Sequence, residues 1–247
     1  MDDKKKISSK IIAIIVYSLI AISIRYLIAI YKPSFLAPIA DGLLYSILTG
    51  IGPLIAAIVV VVFFHRKMEY SNYGISKLKS IISALIPIIS FLLYDIWVKN
   101  YSYSNTLIVI TCLIYSYCEE YGWRGYLQSE LLNMTTLRRI TIITIIWFIW
   151  HLNFTISQSN AIFLLILFFA SWGIGQITIR SKSIITCGCF HAIVNIVYNI
   201  QMDKIKILIL TACVICWFLI WYNKWNKLLM KFNWVHGTKY GINDLNK

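Results

Sequence analysis

Inside one of the most apolar stretches of the chain, "CEEYGWRG" at 118–125 places two adjacent glutamates and an arginine. An ionisable group at bilayer depth costs about 2.5–3.5 kcal/mol on insertion scales, so it needs a partner, a wet cavity or a role. On a helix Glu120 and Arg124 are four apart, share a face and can pair. Glu119 then points about 100° away around the axis and is left for other work. Two further polar sets follow: His151, which ends "WFIWH", and His191 with Asn195 in "HAIVN", four apart on one face. Each has a bland alternative. Arg124 suits an interfacial charge, His151 a hydrogen bond to a neighbouring helix, and His191 with Asn195 a structural polar seam. Together they form a hydrolytic set. A carboxylate or imidazole can take a proton from water, while the others stabilise an oxyanion or hold a metal. Counted from the basic ends of their helices, Glu119, His151 and His191 all fit the cytoplasmic half of a bundle.

The elements that must hold these groups are transmembrane helices. The 247 residues are 59% hydrophobic and 13% charged, against about 25% charged in a soluble domain. Hydropathy predicts about eight spans, near 10–31, 42–64, 80–98, 105–123, 139–157, 160–179, 184–200 and 205–222. Spans of about 17–25 apolar residues suffice to cross the hydrocarbon core. The fold expected is all-α, a single polytopic bundle over 1–247 with an intramembrane polar cavity. The net charge of +13 does not indicate nucleic acid, because Lys and Arg gather on alternate connections and both ends. Arg25, Lys32, Lys99, Lys204 and Lys206 are the exceptions. That bias predicts cytoplasmic N- and C-termini. "MDDKKKISSKIIAIIVYSLIAISI" reads as an uncleaved first span with Arg25 snorkelling at its outer end. Cys112, Cys118, Cys187, Cys189, Cys213 and Cys216 read as small packing residues. "GIGPLIAA" at 50–57 predicts close helix approach and a kink, and "SNYGISK" at 71–77 a turn.

Taken in order, E-E-x-x-x-R (Glu119, Glu120, Arg124), aromatic-x-x-x-H (Trp147, His151) and H-x-x-x-N (His191, Asn195) resemble the CPBP family. This is the family of CAAX prenyl proteases and bacteriocin-processing or immunity proteins, also called Abi. "GWRGYLQSELL" (122–132) and "GPLIAA" (52–57) resemble its flanking patterns, and the catalytic core spans about 105–200. Trp147 stands where the family more often has phenylalanine. The resemblance implies an eight-helix intramembrane endopeptidase whose cavity opens to the cytoplasmic side. It implies that Glu119 and His151 hold and deprotonate water, and that His191 and Asn195 stabilise the oxyanion. Glu120 and Arg124 would brace the site and Trp147 would wall it. Glu119, His151 and His191 are acceptable zinc ligands, so the metallopeptidase label and a metal-free set both stay open.

The partners expected are the lipid bilayer and a peptide or membrane-protein substrate. Oligomeric state is not legible. Richness in Ile, Lys and Asn points to a bacterial, multi-pass cell-membrane protein. There a leader peptide, signalling pro-peptide or membrane protein is a more natural substrate than a prenylated tail. The competing readings are a non-catalytic self-immunity or peptide-binding protein of the same fold, and a proton relay or transporter. Retention of all six polar residues favours an enzyme over the first, and the lack of paired halves disfavours the second.

Overall fold

The computed structural model describes residues 2–39 and 42–231, so the C-terminal tail expected on the cytoplasmic side lies outside the described residues beyond 231. Apart from one isolated bridge between Ser71 and Ser183, its regular structure is helical: α1 Asp2–Arg25, α2 Leu43–Gly50, α3 Gly52–Phe63, α4 Lys77–Trp97, α5 Ser104–Glu120, α6 Thr136–Trp150, α7 Gln158–Ser181, α8 Ile184–Asn199 and α9 Lys204–Lys231. A π-helical turn, Tyr26–Tyr31, extends α1, and a second, Tyr121–Gln128, extends α5 directly after the two glutamates. Insertions of this kind gather at functional sites.

Each apolar stretch predicted from hydropathy forms a helix, and the all-α membrane bundle stands. The count of eight crossings is not reached on length and composition. Among the described residues four helices qualify, and α2 with α3, bent by 42°, makes a fifth. The helices that carry the site, α5, α6 and α8, have 17, 15 and 16 residues. At 1.5 Å per residue α6 covers only about 22 Å, less than a hydrocarbon core of about 30 Å. His151 stands at the end of that helix. It caps the C-terminus of α6, and Leu152 follows in the left-handed region with φ 57°. The chain then turns on Asn160, whose amide donates to the Thr155 carbonyl at 2.7 Å, while Asn153 donates to Asn160 at 3.0 Å.

The glycines and proline of 50–57 act as expected. The bend falls between Gly50 and Gly52, and a Cβ at Gly52 would lie 2.7 Å from the Ala21 carbonyl of α1. Pro53 packs on the π-helical segment, where a Cβ at Gly122 would lie 2.5 Å from Pro53 Cβ and 2.6 Å from the Tyr17 hydroxyl. Gly122→Ala should therefore lower stability by about 1–3 kcal/mol, the usual cost of overpacking. Gly173→Ala, with nothing within 4 Å of the new Cβ, is the control and should be neutral. Detergent-solubilised melting temperatures of the two variants decide this, and equal values would refute the close approach.

One end of the bundle collects the connections 64–76, 129–135 and 182–183. Arg66 donates to both carboxylate oxygens of Glu130 at 2.7 Å, and Glu69 N donates to Ser129 Oγ at 3.0 Å. Ser71 N donates to the Lys182 carbonyl and Ile184 N to that of Ser71. The predicted turn over "SNYGISK" thus pins the start of α8, with Gly74 at φ 58°. The opposite end holds the α4–α5 and α8–α9 connections, joined by Tyr94 donating to Asp203 at 3.1 Å.

Candidate active site

Helices α5 and α8 run antiparallel in close contact, since a Cβ at Gly188 would lie 3.3 Å from Tyr117 Cα. That register sets Ser116 against Asn195, and Glu120 against Cys187 and His191. Asn195 Nδ2 donates to Ser116 Oγ at 2.9 Å, and His191 Nδ1 lies 2.7 Å from Glu120 Oε1. Cys187 Sγ is 3.9 Å from Glu120 Oε2. All six cysteines are free, and five are buried; only Cys216 is exposed.

Glu120 and Arg124 form the predicted pair, with both side chains fully buried and Nε 3.2 Å from Oε2. That contact lacks hydrogen-bond alignment, leaving Nε without a partner in this sense. Nη1 donates to Glu120 Oε1 at 3.3 Å and Nη2 to the Ala170 carbonyl at 3.4 Å. The guanidinium also lies 4.9 Å over the Trp147 ring. Glu120 is thus shared between an arginine and a histidine, which the i,i+4 spacing alone does not reveal.

Glu119 is 1% exposed. Its Oε2 accepts from two indoles, Trp147 Nε1 at 3.0 Å and Trp123 Nε1 at 3.2 Å. Trp147 therefore does more than wall the site: in place of the phenylalanine common in the family it supplies a donor. His151 and His191 flank the same ring at centroid distances of 6.2 and 5.2 Å. His151 Nδ1 lies 2.8 Å from the Trp147 carbonyl. Because a carbonyl only accepts, Nδ1 carries the proton and Nε2 of the neutral ring holds the lone pair. Glu119 is close enough to both imidazoles to act on them electrostatically. All seven predicted residues, Glu119, Glu120, Arg124, Trp147, His151, His191 and Asn195, thus belong to one cluster.

Four partners were not singled out from sequence: Ser116, Trp123, Trp150 and Arg25. Arg25 is half-buried. Nη1 donates to the Thr49 carbonyl at 2.8 Å, and the guanidinium lies 4.6 Å over Trp150, which in turn meets His151 edge-on at 5.0 Å. The hydrogen bond and the cation–π contact together favour burial over the interface. Of these, Ser116 could have been found, since it lies one turn before Glu120 on the same face.

Among the described residues no group of three His, Cys, Asp or Glu side chains is placed to hold an ion. Glu119 Oε2 takes two indoles, and His191 Nδ1 takes Glu120.

A cavity of about 430 Å³ reaches the cluster at Asn195, lined also by Arg25, Tyr45, Thr49, Tyr115 and Asn199. Its mouth is the end where α1 and α8 finish and α2 and α5 begin. The start of α1 lies at the other end, where Lys10 lines a different cavity with His65 and Glu130.

Residues 102–197 match the family described as Rce1-like, type II CAAX prenyl endopeptidase Rce1-like. No curated protein matches the chain. The matched stretch contains every predicted site residue. That description is of the protease family that the three motifs resemble, and the apolar helices are those of a membrane protein.

Proposed function

We propose that this Rce1-like chain is an intramembrane endopeptidase that hydrolyses a peptide bond of a membrane-associated peptide or protein. The observation that carries the reading is the state of its three ionisable groups. Each imidazole is held through one nitrogen, and the two indoles hold one oxygen of Glu119. Neither indole engages Glu119 Oε1. Both imidazoles are held through Nδ1, which leaves both Nε2 atoms unspent.

In this reading a water between Glu119 and His151 loses a proton to one of them as its oxygen attacks the scissile carbonyl. His151, fixed by a neutral carbonyl, suits the base. His191 suits the oxyanion, because a proton on its Nε2 would be balanced by the Glu120 carboxylate behind the ring. Asn195 adds an amide donor, held by Ser116. As the C–N bond breaks, the proton taken from water passes to the leaving amine. Positioned donors of this sort contribute about 10²–10³ in turnover.

The test is comparative membrane peptidomics of cells carrying the wild type or Glu119→Ala. A cleavage product present only with the wild type is expected, and indistinguishable peptidomes would overturn the peptidase reading. Chelation separates the water-activating carboxylate from a metal centre. With no three-ligand cluster at Glu119, His151 and His191, cleavage should survive chelator treatment and purified protein should carry no stoichiometric zinc. Activity lost to the chelator and restored by Zn²⁺, with metal absent from both histidine variants, would reverse that assignment.

A further inference from the structure

The cavity at the end where α1 begins measures about 990 Å³, and none of the catalytic cluster lines it. That volume is at the upper end of the range of small-molecule sites, about 300–1,000 Å³. Its walls come from α1, the connection after α3 and the connection before α6. The connection after α3 is fixed by its own backbone. Arg66 N donates to the Val61 carbonyl across His65, which stands in the left-handed region at φ 50°. This is the outer bond of a Schellman ending, and it commits the chain to one path out of the helix. Arg66 then clamps Glu130 and Glu69 N donates to Ser129 Oγ, so the two connections form a single wall.

The charges on that wall are not balanced. Glu130 is spent on Arg66. Of the other lining groups, Lys10, Lys67 and the His65 ring outnumber one carboxylate, that of Glu69. Among the described residues no carboxylate lies within ion-pair distance of Lys10 or Lys67. Beside the cations the surface turns apolar. Ile11 and Ile14 line the cavity, and Ile11, Ile15 and Leu19 follow one another at intervals of four along α1, at 52%, 52% and 60% exposure. Residues so spaced share one face of a helix, which makes a ridge leading from the cavity down the outside of α1. The connections rich in Lys and Arg gather at this end, which the positive-inside rule puts on the cytoplasmic side, the side of the anionic leaflet.

We infer that this cavity is a binding site for an anionic phospholipid. The phosphodiester sits among Lys10, His65 and Lys67, and the acyl chains lie along Ile11, Ile15 and Leu19. Basic pockets beside transmembrane helices take such headgroups. A soluble phosphate meets the same cations but has no use for the ridge, and the ridge decides for the lipid. The site stands independently of the peptidase reading.

Native mass spectrometry of the full chain in detergent, titrated with dioleoylphosphatidylglycerol or dioleoylphosphatidylcholine, reads the occupancy. One phosphatidylglycerol is expected to stay on the wild type under conditions that strip phosphatidylcholine. Lys10→Gln with Lys67→Gln should weaken its binding about 25-fold, at about fivefold for each lysine near an anionic lipid. Lys77→Gln with Lys182→Gln removes the same charge at the same end but outside the cavity lining, and should leave binding unchanged. Asn133→Glu keeps every cation, adds a carboxylate to the lining and should also weaken binding; it serves if the double lysine variant fails to accumulate. Equal retention of the two lipids, equal loss in both lysine pairs, or wild-type binding by Asn133→Glu would overturn the inference. Displacement of the lipid by an equimolar amount of inorganic phosphate would overturn it as well, since the ridge would then contribute nothing.

Discussion

Glu119→Gln should abolish cleavage while leaving the protein in the membrane at wild-type abundance. The amide is isosteric, and its carbonyl oxygen can accept the same two indole N–H groups that bind Oε2, at 3.0 and 3.2 Å from Trp147 and Trp123. Its NH₂ then replaces Oε1, where a proton acceptor is needed and a donor is useless. Loss of a general base should lower turnover by about 10²–10⁴. No partner cation is stranded, because Arg124 is paired with Glu120 and not with Glu119. Trp147→Phe keeps the ring against His191 but removes one donor, so its loss should be smaller than that of Glu119→Gln. Cleavage of the product identified by peptidomics, scaled to protein in the membrane, measures both. Near wild-type cleavage by Glu119→Gln would remove Glu119 from the chemistry.

What sequence made legible here is what local spacing determines. Glu120 and Arg124 lie one turn apart, so their pairing follows from helical geometry, and the α2–α3 bend follows from two glycines beside Pro53. The bond from His191 to Glu120 spans 71 residues, and only the antiparallel register of α5 on α8 brings the two together. The convergence of Trp123 and Trp147 on one oxygen is of the same kind: both indoles look like apolar bulk in a hydropathy profile, yet each carries a donor. The fifth span was drawn to 157, past the end of α6 at Trp150, because Leu152, Phe154 and Ile156 keep the profile apolar, while Asn153 and Asn160 end the helical course by hydrogen bonds. Hydropathy measures transfer cost and does not register those bonds.

Glu120→Gln should damage both the fold and the chemistry, and a second substitution separates them. Glu120 is fully buried between Arg124 and His191. Without its charge the guanidinium is left uncompensated in a low-dielectric interior. Breaking a buried pair in this way costs about 3–5 kcal/mol, a large share of an ordinary stability of about 5–15 kcal/mol. Membrane abundance and melting temperature should therefore fall well below those of Glu119→Gln. Adding Arg124→Met removes the stranded charge, and replacing both members of a buried pair by uncharged groups is often close to neutral. The double variant should recover abundance. Cleavage per molecule should stay low, because an amide cannot balance a proton on His191 as the carboxylate does. Abundance is read by quantitative blotting of membranes, stability by melting in detergent, and turnover on the identified peptide. A double variant that recovers both abundance and turnover would reduce Glu120 to a partner of Arg124. Equal abundance of the single Glu119→Gln and Glu120→Gln variants, with both inactive, would instead place both carboxylates in the reaction.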